Sequence, residues 1–185
     1  NIGGAIGLNR ADFNNITVTI LGSGTVTGGT DSDINYDDLA SPIDYDGTNV
    51  GGAVGYNISR SAVGITVYVS GTIEGYGRNV GGAIGFCHYS EGKAFINEIK
   101  VYLLGNSRVI GHSSNVGGSL GYTLGNIHYV TTEIRGTSQI IGDQRVGGVI
   151  GFASAQTKNT GTLEGETGNN VKTNQVGYVE SATAI

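Results

Sequence analysis

Apolar and polar positions alternate in short runs along the chain, and each run closes on or near a glycine. The clearest runs are rich in β-branched residues and occupy positions 16–20, 65–69, 99–103 and, more weakly, 130–134. Shorter runs follow at 25–27, 72–74, 108–110 and 139–141 and close on Gly28, Gly75, Gly111 and Gly142. A period of two is typical of a strand, and no stretch keeps the period of a helix. The pattern therefore predicts an all-β protein.

An eight-residue element with two adjacent glycines recurs along the chain. Its copies begin at Asn1, Asn49, Asn79, Asn115 and Arg145, in steps of 48, 30, 36 and 30 residues. A half-copy begins at Gln175, another 30 residues on. The spacing predicts a single domain, 1–185, built from five units of about 30 residues that start near 1, 49, 79, 115 and 145, a half-unit at 175–185 and an acidic insertion at 29–48.

Each unit is expected to contribute three short strands to a stack of equivalent strands. One unit cannot bury its own apolar face, whereas stacked units share a continuous core. The predicted fold is therefore a repeat β-solenoid that resembles a parallel β-helix. In such a stack, side chains at equal positions form ladders, for example Leu8, Tyr56, Phe86, Tyr122 and Phe152. An antiparallel β-sandwich built from the same strands is the alternative, and periodicity leaves both open.

The double glycine leaves one side of its element almost bare. If 49–56 is one strand, Val50, Gly52, Val54 and Tyr56 share a face and only glycine and alanine lie on the other. Glycine weakens a strand, so its recurrence indicates a close approach to the backbone. Two interpretations are open. The bare face lies inside a narrow coil, or it is a flat outer surface that packs against another subunit or an extended polymer.

The element Asn49-Val-Gly-Gly-Ala-Val-Gly-Tyr56 and its spacing resemble the GLUG repeat of cell-surface and secreted proteins, which include segments of immunoglobulin-A-cleaving metallopeptidases and bacterial adhesins. The resemblance implies a right-handed β-helical fold, an extracellular location and a structural or adhesive role. This chain carries other residues where leucine is typical of the family, namely Ala5, Ala53, Ala83, Ser119 and Val149. The peptidase activity is not implied, because the chain has no His-Glu-x-x-His motif.

Composition narrows the range of functions. Ten basic residues against fifteen acidic ones give a net charge of −5, so no nucleic-acid partner is expected. No apolar run is long enough for membrane insertion. The three histidines, His88, His112 and His128, lack zinc-site spacing, and no motif marks a catalytic nucleophile, so we expect no enzyme. The chain has no basic, apolar leader, and we expect either a removed leader or a part of a longer protein.

Acidic side chains are concentrated in the insertion. Around Gly47, oxygen-bearing residues alternate along the chain, which suits calcium, a cation that takes six to eight oxygen ligands. The predicted calcium ligands are Asp31, Asp33, Asp44, Asp46 and Asn49. The alternative is a solvated acidic loop whose Asp and Asn residues cap turns.

Two triplets and one cysteine are candidate sites of covalent modification. Asn15 and Asn57 each begin an Asn-x-Ser/Thr triplet, the acceptor pattern for N-glycosylation. Cys87 is the single cysteine, so it is either a small buried residue or the site of an interchain disulfide.

The ends of the repeat are the predicted assembly surfaces. A solenoid needs caps over its open strand edges, and none is visible in the sequence. We therefore expect other copies of the chain to complete the edges, giving a homopolymeric filament, ring or sheath at the cell surface. The predicted assembly residues are Asn1, Ile2, Gly3 and Gly4 at one end and Gln175, Val176, Gly177, Tyr178 and Val179 at the other.

An adhesin-type binding module is the alternative function. Tyr68 and Tyr102 occupy equal positions of two units, with Thr19 aligned to them. Such a row of side chains either recognises a glycan or a host surface or serves only cross-strand packing.

Overall fold

The computed structural model describes residues 1–29, 49–59, 61–88, 95–124, 126–153, 157–162, 172–175 and 182–184. These residues form strands and turns, and they contain no helix. The prediction of an all-β protein is therefore confirmed for the described part of the chain.

The strands follow one another in groups that we call layers. Layer 1 contains β1 (Ile2–Gly3), β2 (Ile6–Asn9), β3 (Phe13–Ile20) and β4 (Thr25–Gly28). Layer 2 contains β5 (Asn49–Gly51), β6 (Val54–Asn57), β7 (Ser61–Val69) and β8 (Thr72–Gly75). Layer 3 contains β9 (Asn79–Gly81), β10 (Ile84–Cys87), β11 (Phe95–Leu103) and β12 (Arg108–Gly111).

The later layers repeat this order. Layer 4 contains β13 (Asn115–Gly117), β14 (Leu120–Thr123), β15 (Asn126–Ile134) and β16 (Gln139–Gly142). Layer 5 begins with β17 (Val146–Gly147) and β18 (Ile150–Ala153). The remaining described strands are β19 (Thr157–Thr162), β20 (Lys172–Gln175) and β21 (Ala182–Ala184).

Equivalent strands of successive layers pair in parallel and form four sheets. Sheet A has the order β1-β5-β9-β13-β17, sheet B β18-β14-β10-β6-β2, sheet C β21-β15-β11-β7-β3 and sheet D β16-β12-β8-β4. The predicted β-solenoid architecture is thus confirmed, and the antiparallel sandwich is wrong for these sheets. The one described antiparallel pair joins β19 to β20.

The pairing aligns the positions that the repeat predicts. Leu8, Tyr56, Phe86, Tyr122 and Phe152 are in register in sheet B. Backbone hydrogen bonds of 2.8–3.3 Å continue between layers through the corners, as from Ala53 N to Ala83 O and from Ala83 N to Ser119 O. Like side chains therefore meet like ones, because the same position recurs in each layer.

The glycine-rich element is not the single strand that alternation predicts. It bends after Gly51 and forms two short strands in different sheets, β5 in sheet A and β6 in sheet B. Each of the first four layers therefore has four strands, not three. The prediction that Val50 and Tyr56 share one face of a strand is wrong, because a corner separates the two residues.

Close packing of sheets A and B explains the glycines. A Cβ atom on Gly85 would lie 2.7 Å from the backbone oxygen of Gly55 and 2.7 Å from the nitrogen of Val50. A Cβ on Gly51 would overlap the carbonyl oxygen of Val54. These glycines are buried, so the interpretation of a bare face inside a narrow coil is confirmed and the outer-surface interpretation is wrong.

The core lies between the sheets, and its side chains are most completely buried in the middle layers. Ile65, Val67 and Val69 of β7 have no exposed surface, and they are in register with buried residues of β11. At the corresponding positions of β3, Ile16 and Val18 are only partly buried. Burial therefore increases from layer 1 inwards, because a middle layer is covered on both sides.

A column of left-handed residues bends the long strands of sheet C. Asn15, Gly64, Glu98 and Tyr129 have φ values of 60°, 71°, 57° and 52°. The flanking pairs Val63 with Asn97 and Ile65 with Ile99 place these residues at the same level of successive layers. Left-handed backbone is rare for residues other than glycine, so its repetition shows that the stack imposes one bend on all four strands.

Candidate functional site

The predicted assembly residues near the start of the chain lie on an open strand edge. Ile2 and Gly3 form β1, which is the end strand of sheet A. Among the described residues, β1, β2, β3 and β4 each pair with one neighbouring strand only. Ile2 is 39 % exposed and Leu8 is 43 % exposed. The four strands thus present unpaired backbone groups and apolar side chains together.

The predicted assembly residues near the other end are only partly described. Gln175 ends β20 and pairs with Thr157 of β19 in an antiparallel ladder. This pairing lies within the chain, which the assembly prediction had not expected. β21 pairs in parallel with β15, with Val130 opposite Ala182, and so extends sheet C. Val176, Gly177, Tyr178 and Val179 lie outside the described residues.

A ladder of asparagine side chains runs between the layers at the start of sheet A. Asn49 Nδ2 donates to Asn1 Oδ1 at 2.7 Å, Asn79 Nδ2 to Asn49 Oδ1 at 2.6 Å, and Asn115 Nδ2 to Asn79 Oδ1 at 2.6 Å. Asn49, Asn79 and Asn115 are buried. Each amide therefore donates to the layer before it and accepts from the layer after it, which satisfies polar groups within an apolar stack.

Arg145 stands at the asparagine position in layer 5. Its Nη1 lies 3.4 Å from Asn115 Oδ1, and its guanidinium carbon lies 4.5 Å from the centre of the Phe152 ring. Arginine donates hydrogen bonds and cannot accept one. Arg145 therefore satisfies the last asparagine of the ladder and offers no acceptor for another amide. The change at this end of the ladder is visible in the sequence, because the first residue of the element changes from Asn to Arg only in this copy.

An aromatic ladder follows sheet B. The ring centres of Tyr56 and Phe86 are 5.0 Å apart, those of Phe86 and Tyr122 are 4.9 Å apart, and those of Tyr122 and Phe152 are 5.1 Å apart. Tyr56 and Phe86 are almost fully buried. Offset stacking of this kind adds to the stability that burial already provides.

The two predicted glycosylation sites differ in exposure. Asn15 is exposed, and its role as an acceptor stays a prediction. Asn57 is 1 % exposed, and its side chain accepts from Asn9 Nδ2 at 2.7 Å and from Ser59 Oγ at 2.9 Å. Burial and these bonds contradict glycosylation of Asn57 in the folded chain, because a glycosylated side chain must reach solvent.

Cys87 is a core residue. Its thiol has no exposed surface, and Asn57 Nδ2 donates to Cys87 Sγ at 3.4 Å. Burial raises the pKa of the thiol from 9.0 to about 12, and the bond from Asn57 lowers it less than burial raises it. An interchain disulfide is contradicted by this burial, since a second chain would need to reach a sulfur inside the stack.

The calcium prediction rests mainly on residues outside the described part of the chain. Asp31, Asp33, Asp44 and Asp46 are not described. Asn49 belongs to the asparagine ladder, where its Oδ1 already accepts a hydrogen bond. In the described residues no group of three His, Cys, Asp or Glu side chains is placed to hold a metal ion. Calcium binding by the insertion stays a prediction, which isothermal titration of the full chain tests.

Two aromatic pairs lie on the outer surface. The ring centres of Tyr68 and Tyr102 are 4.9 Å apart with an interplanar angle of 9°, and Tyr68 is 39 % exposed. Thr19 is in register with Tyr68, as the sequence predicts. Tyr76 and His112 also stack, at 4.3 Å, and both side chains contact Glu74 Oε1. The pair Tyr68–Tyr102 is therefore the surface feature that fits the adhesin-type alternative.

Comparisons with known proteins do not assign the chain to a family. No family model, curated protein or solved structure matches the chain. The resemblance to GLUG repeats and the roles that it implies therefore stay predictions. In the described residues no helix is long and apolar enough to cross a membrane.

Proposed function

We propose that the chain is an extracellular structural protein that assembles with other copies through the strand edges of its layers, into a filament, ring or sheath. The sequence carries five units of about 30 residues and a half-unit at 175–185, and strands of the first five lie in the parallel sheets. The extracellular location rests on the resemblance to GLUG repeats. No catalytic residue is assigned, and the partner is the chain itself.

The exposure of Ile2 is the observation that carries the proposal. In the same row, Val50, Val80 and Val116 have no exposed surface, whereas Ile2 is 39 % exposed. A further layer on this edge would cover Ile2 in the same way as layer 1 covers Val50 of layer 2. Apolar side chains beside an unpaired strand edge are a template for pairing with another chain.

Sedimentation velocity and negative-stain microscopy of the chain 1–185 test the proposal. We expect assemblies much larger than one chain, and we expect the double substitution Ile2→Lys and Leu8→Lys to reduce them to monomers. Leu21→Lys is the matched control, because Leu21 is 70 % exposed but lies in the turn between β3 and β4. A wild-type chain that stays monomeric at high concentration overturns the proposal. An equal effect of Leu21→Lys would show general hydrophobic association.

The second candidate function is recognition of a glycan or host surface. The surface pair of exposed Tyr68 and half-buried Tyr102 favours it, because aromatic side chains with polar neighbours are typical of ligand sites. Glycan-array binding by the chain, lost in Tyr68→Ala, is the expected result. An array without any bound glycan counts against this function and leaves the assembly proposal unaffected, since assembly is measured by size.

A further inference from the structure

The turns that join sheet C to sheet D differ in length between layers. Four residues lie between β3 and β4, between β11 and β12 and between β15 and β16, but only Ser70 and Gly71 lie between β7 and β8. The strands on both sides remain in register through all four layers. The short turn of layer 2 therefore leaves a gap between the longer turns of layers 1 and 3.

This gap is a concave notch with a volume of about 290 Å³. Its lining consists of Gly22 from layer 1, Ser70, Gly71 and Thr72 from layer 2, and Leu104, Gly105 and Asn106 from layer 3. The volume is close to the lower limit of small-molecule sites, about 300 Å³. The notch therefore suits a ligand of one ring.

The chemistry of the lining is polar and uncharged. Ser70 and Asn106 are exposed, and Thr72 is half-buried, so two hydroxyl groups and one amide border the notch. Thr137 Oγ1 donates to Asn106 Oδ1, which anchors the amide through its oxygen. Gly22, Gly71 and Gly105 carry no side chain that would fill the space. Hydroxyls and amides without a charged group match a neutral ligand rich in hydroxyl groups.

An exposed aromatic residue precedes the notch-lining turn of layer 2 along the chain. Tyr68 lies next to the last residue of β7 and precedes Ser70 by two residues, which is at most about 7 Å along the chain. One flank of its ring stacks on Tyr102, and the opposite flank faces the level of Thr19, a much smaller residue. A ligand in the notch can therefore extend towards an aromatic side chain.

We propose that this notch is a binding site for one neutral sugar ring of a glycan, with Tyr68 next to it. The proposal deepens the second candidate function and rests on it, because it gives the glycan a location on the fold. It is independent of the strand edges, and an anionic ligand is disfavoured because the lining has no cationic side chain.

Amide chemical shifts of the ¹⁵N-labelled chain test the proposal. The probes are the methyl glycosides of glucose, galactose, mannose and N-acetylglucosamine at millimolar concentrations. At least one should shift the amides of Ser70, Gly71, Thr72 and Gly105 in a saturable manner, whereas glucuronic acid should not. The proposal is overturned if no probe shifts these amides, or if the shifts map elsewhere.

A variant that fills the notch uses a turn from the chain itself. Ser70 and Gly71 are replaced by the four residues found at 104–107, Leu-Gly-Asn-Ser, which already connect the same sheets one layer away. We expect at least a tenfold loss of affinity. Unchanged affinity in the folded variant refutes the site.

Asn106→Trp is the second variant. It provides the deciding test in case the variant with the lengthened turn does not fold. It should block the notch, whereas Asp143→Trp, at an exposed position after β16 that does not line the notch, should bind as the wild type does. Equal binding by both variants contradicts the notch. If the array shows a bound glycan that depends on Tyr68 but not on the notch, the second candidate function survives and only its location is wrong.

Discussion

Ser119 Oγ and Thr132 Oγ1 are 2.7 Å apart in the core of layer 4, and both side chains are fully buried. Elsewhere in the stack these two positions are apolar. Ala83 is in line with Ser119, and Val101 is in register with Thr132. Layer 4 has therefore exchanged an apolar contact for a hydrogen bond, and the two substitutions compensate each other.

This pairing predicts strong coupling in a double-mutant cycle. Ser119→Ala leaves the Thr132 hydroxyl buried without its partner and should lower the free energy of unfolding by about 1–3 kcal/mol. Thr132→Val should cost less, because Ser119 Oγ is also 3.3 Å from the Thr131 carbonyl oxygen. The double variant restores the alanine–valine pair and should lie within about 1 kcal/mol of the wild type. Urea denaturation gives the three values, and simple additivity would contradict the coupling.

Packing between sheets A and B predicts that Gly85 tolerates no side chain. In Gly85→Ala the new Cβ meets the backbone of Gly55 and Val50, which cannot rotate away. We expect a loss of about 3 kcal/mol or failure to fold. Gly22→Ala is the control, because a Cβ there has no heavy atom within 4 Å. It should change stability by less than about 0.5 kcal/mol. Equal melting temperatures of the two variants would disprove the close packing.

The repeat spacing made the stacking and the register predictable, because position 8 of each copy must meet position 8 of the next. The corner inside 49–56 was not predictable from alternation. Val50, Val54 and Tyr56 fit one straight strand as well as two short ones, and only packing against the facing sheet decides between them. The difference in turn length between layers can be counted in the sequence. It produces a notch only if the layers pair in parallel, and periodicity alone left the pairing open.

Residue identity gave no sign that the left-handed column continues into layers 3 and 4. Asn15 and Gly64 are residues that adopt positive φ readily, but Glu98 and Tyr129 are not. The bend is imposed by neighbouring layers, a tertiary effect that local sequence does not encode. The strained residues are therefore those for which the stack overrides local preference.

Relief of this strain predicts a stabilising substitution. Glu98 is exposed and has a φ of 57°, so Glu98→Gly removes a left-handed cost of about 1–2 kcal/mol and adds a glycine entropy cost of about 0.5–1 kcal/mol. The net gain should be roughly 0.5–1 kcal/mol, seen as a higher urea midpoint. Glu98→Ala keeps the positive φ and should give no gain. If Glu98→Ala stabilises as much as Glu98→Gly, removal of the charge and not of strain is the cause.

Burial of Cys87 predicts a loss of stability at alkaline pH. The folded chain raises the pKa of the thiol from 9.0 to about 12, so folding favours the neutral form. The contribution is present below pH 9 and is lost as pH rises from about 9 towards 12, because the unfolded thiol ionises first. Chemical denaturation across this range should show a smaller alkaline loss in Cys87→Ala than in the wild type. The same pH dependence in both chains would assign the loss to other groups.

The asparagine ladder predicts a large effect for a single buried amide. Asn79→Ala removes the donor to Asn49 Oδ1 and the acceptor of Asn115 Nδ2, so two buried polar groups lose their partners. At about 1–3 kcal/mol for each group, the free energy of unfolding should fall by about 2–6 kcal/mol. Asn1→Ala is the matched control, because only one described bond, from Asn49 Nδ2, ends there and Asn1 is partly exposed. It should cost clearly less in the same urea titration. A loss for Asn1→Ala as large as that for Asn79→Ala would show that the amides act singly and not as a ladder, since only the middle position interrupts hydrogen bonds on both sides.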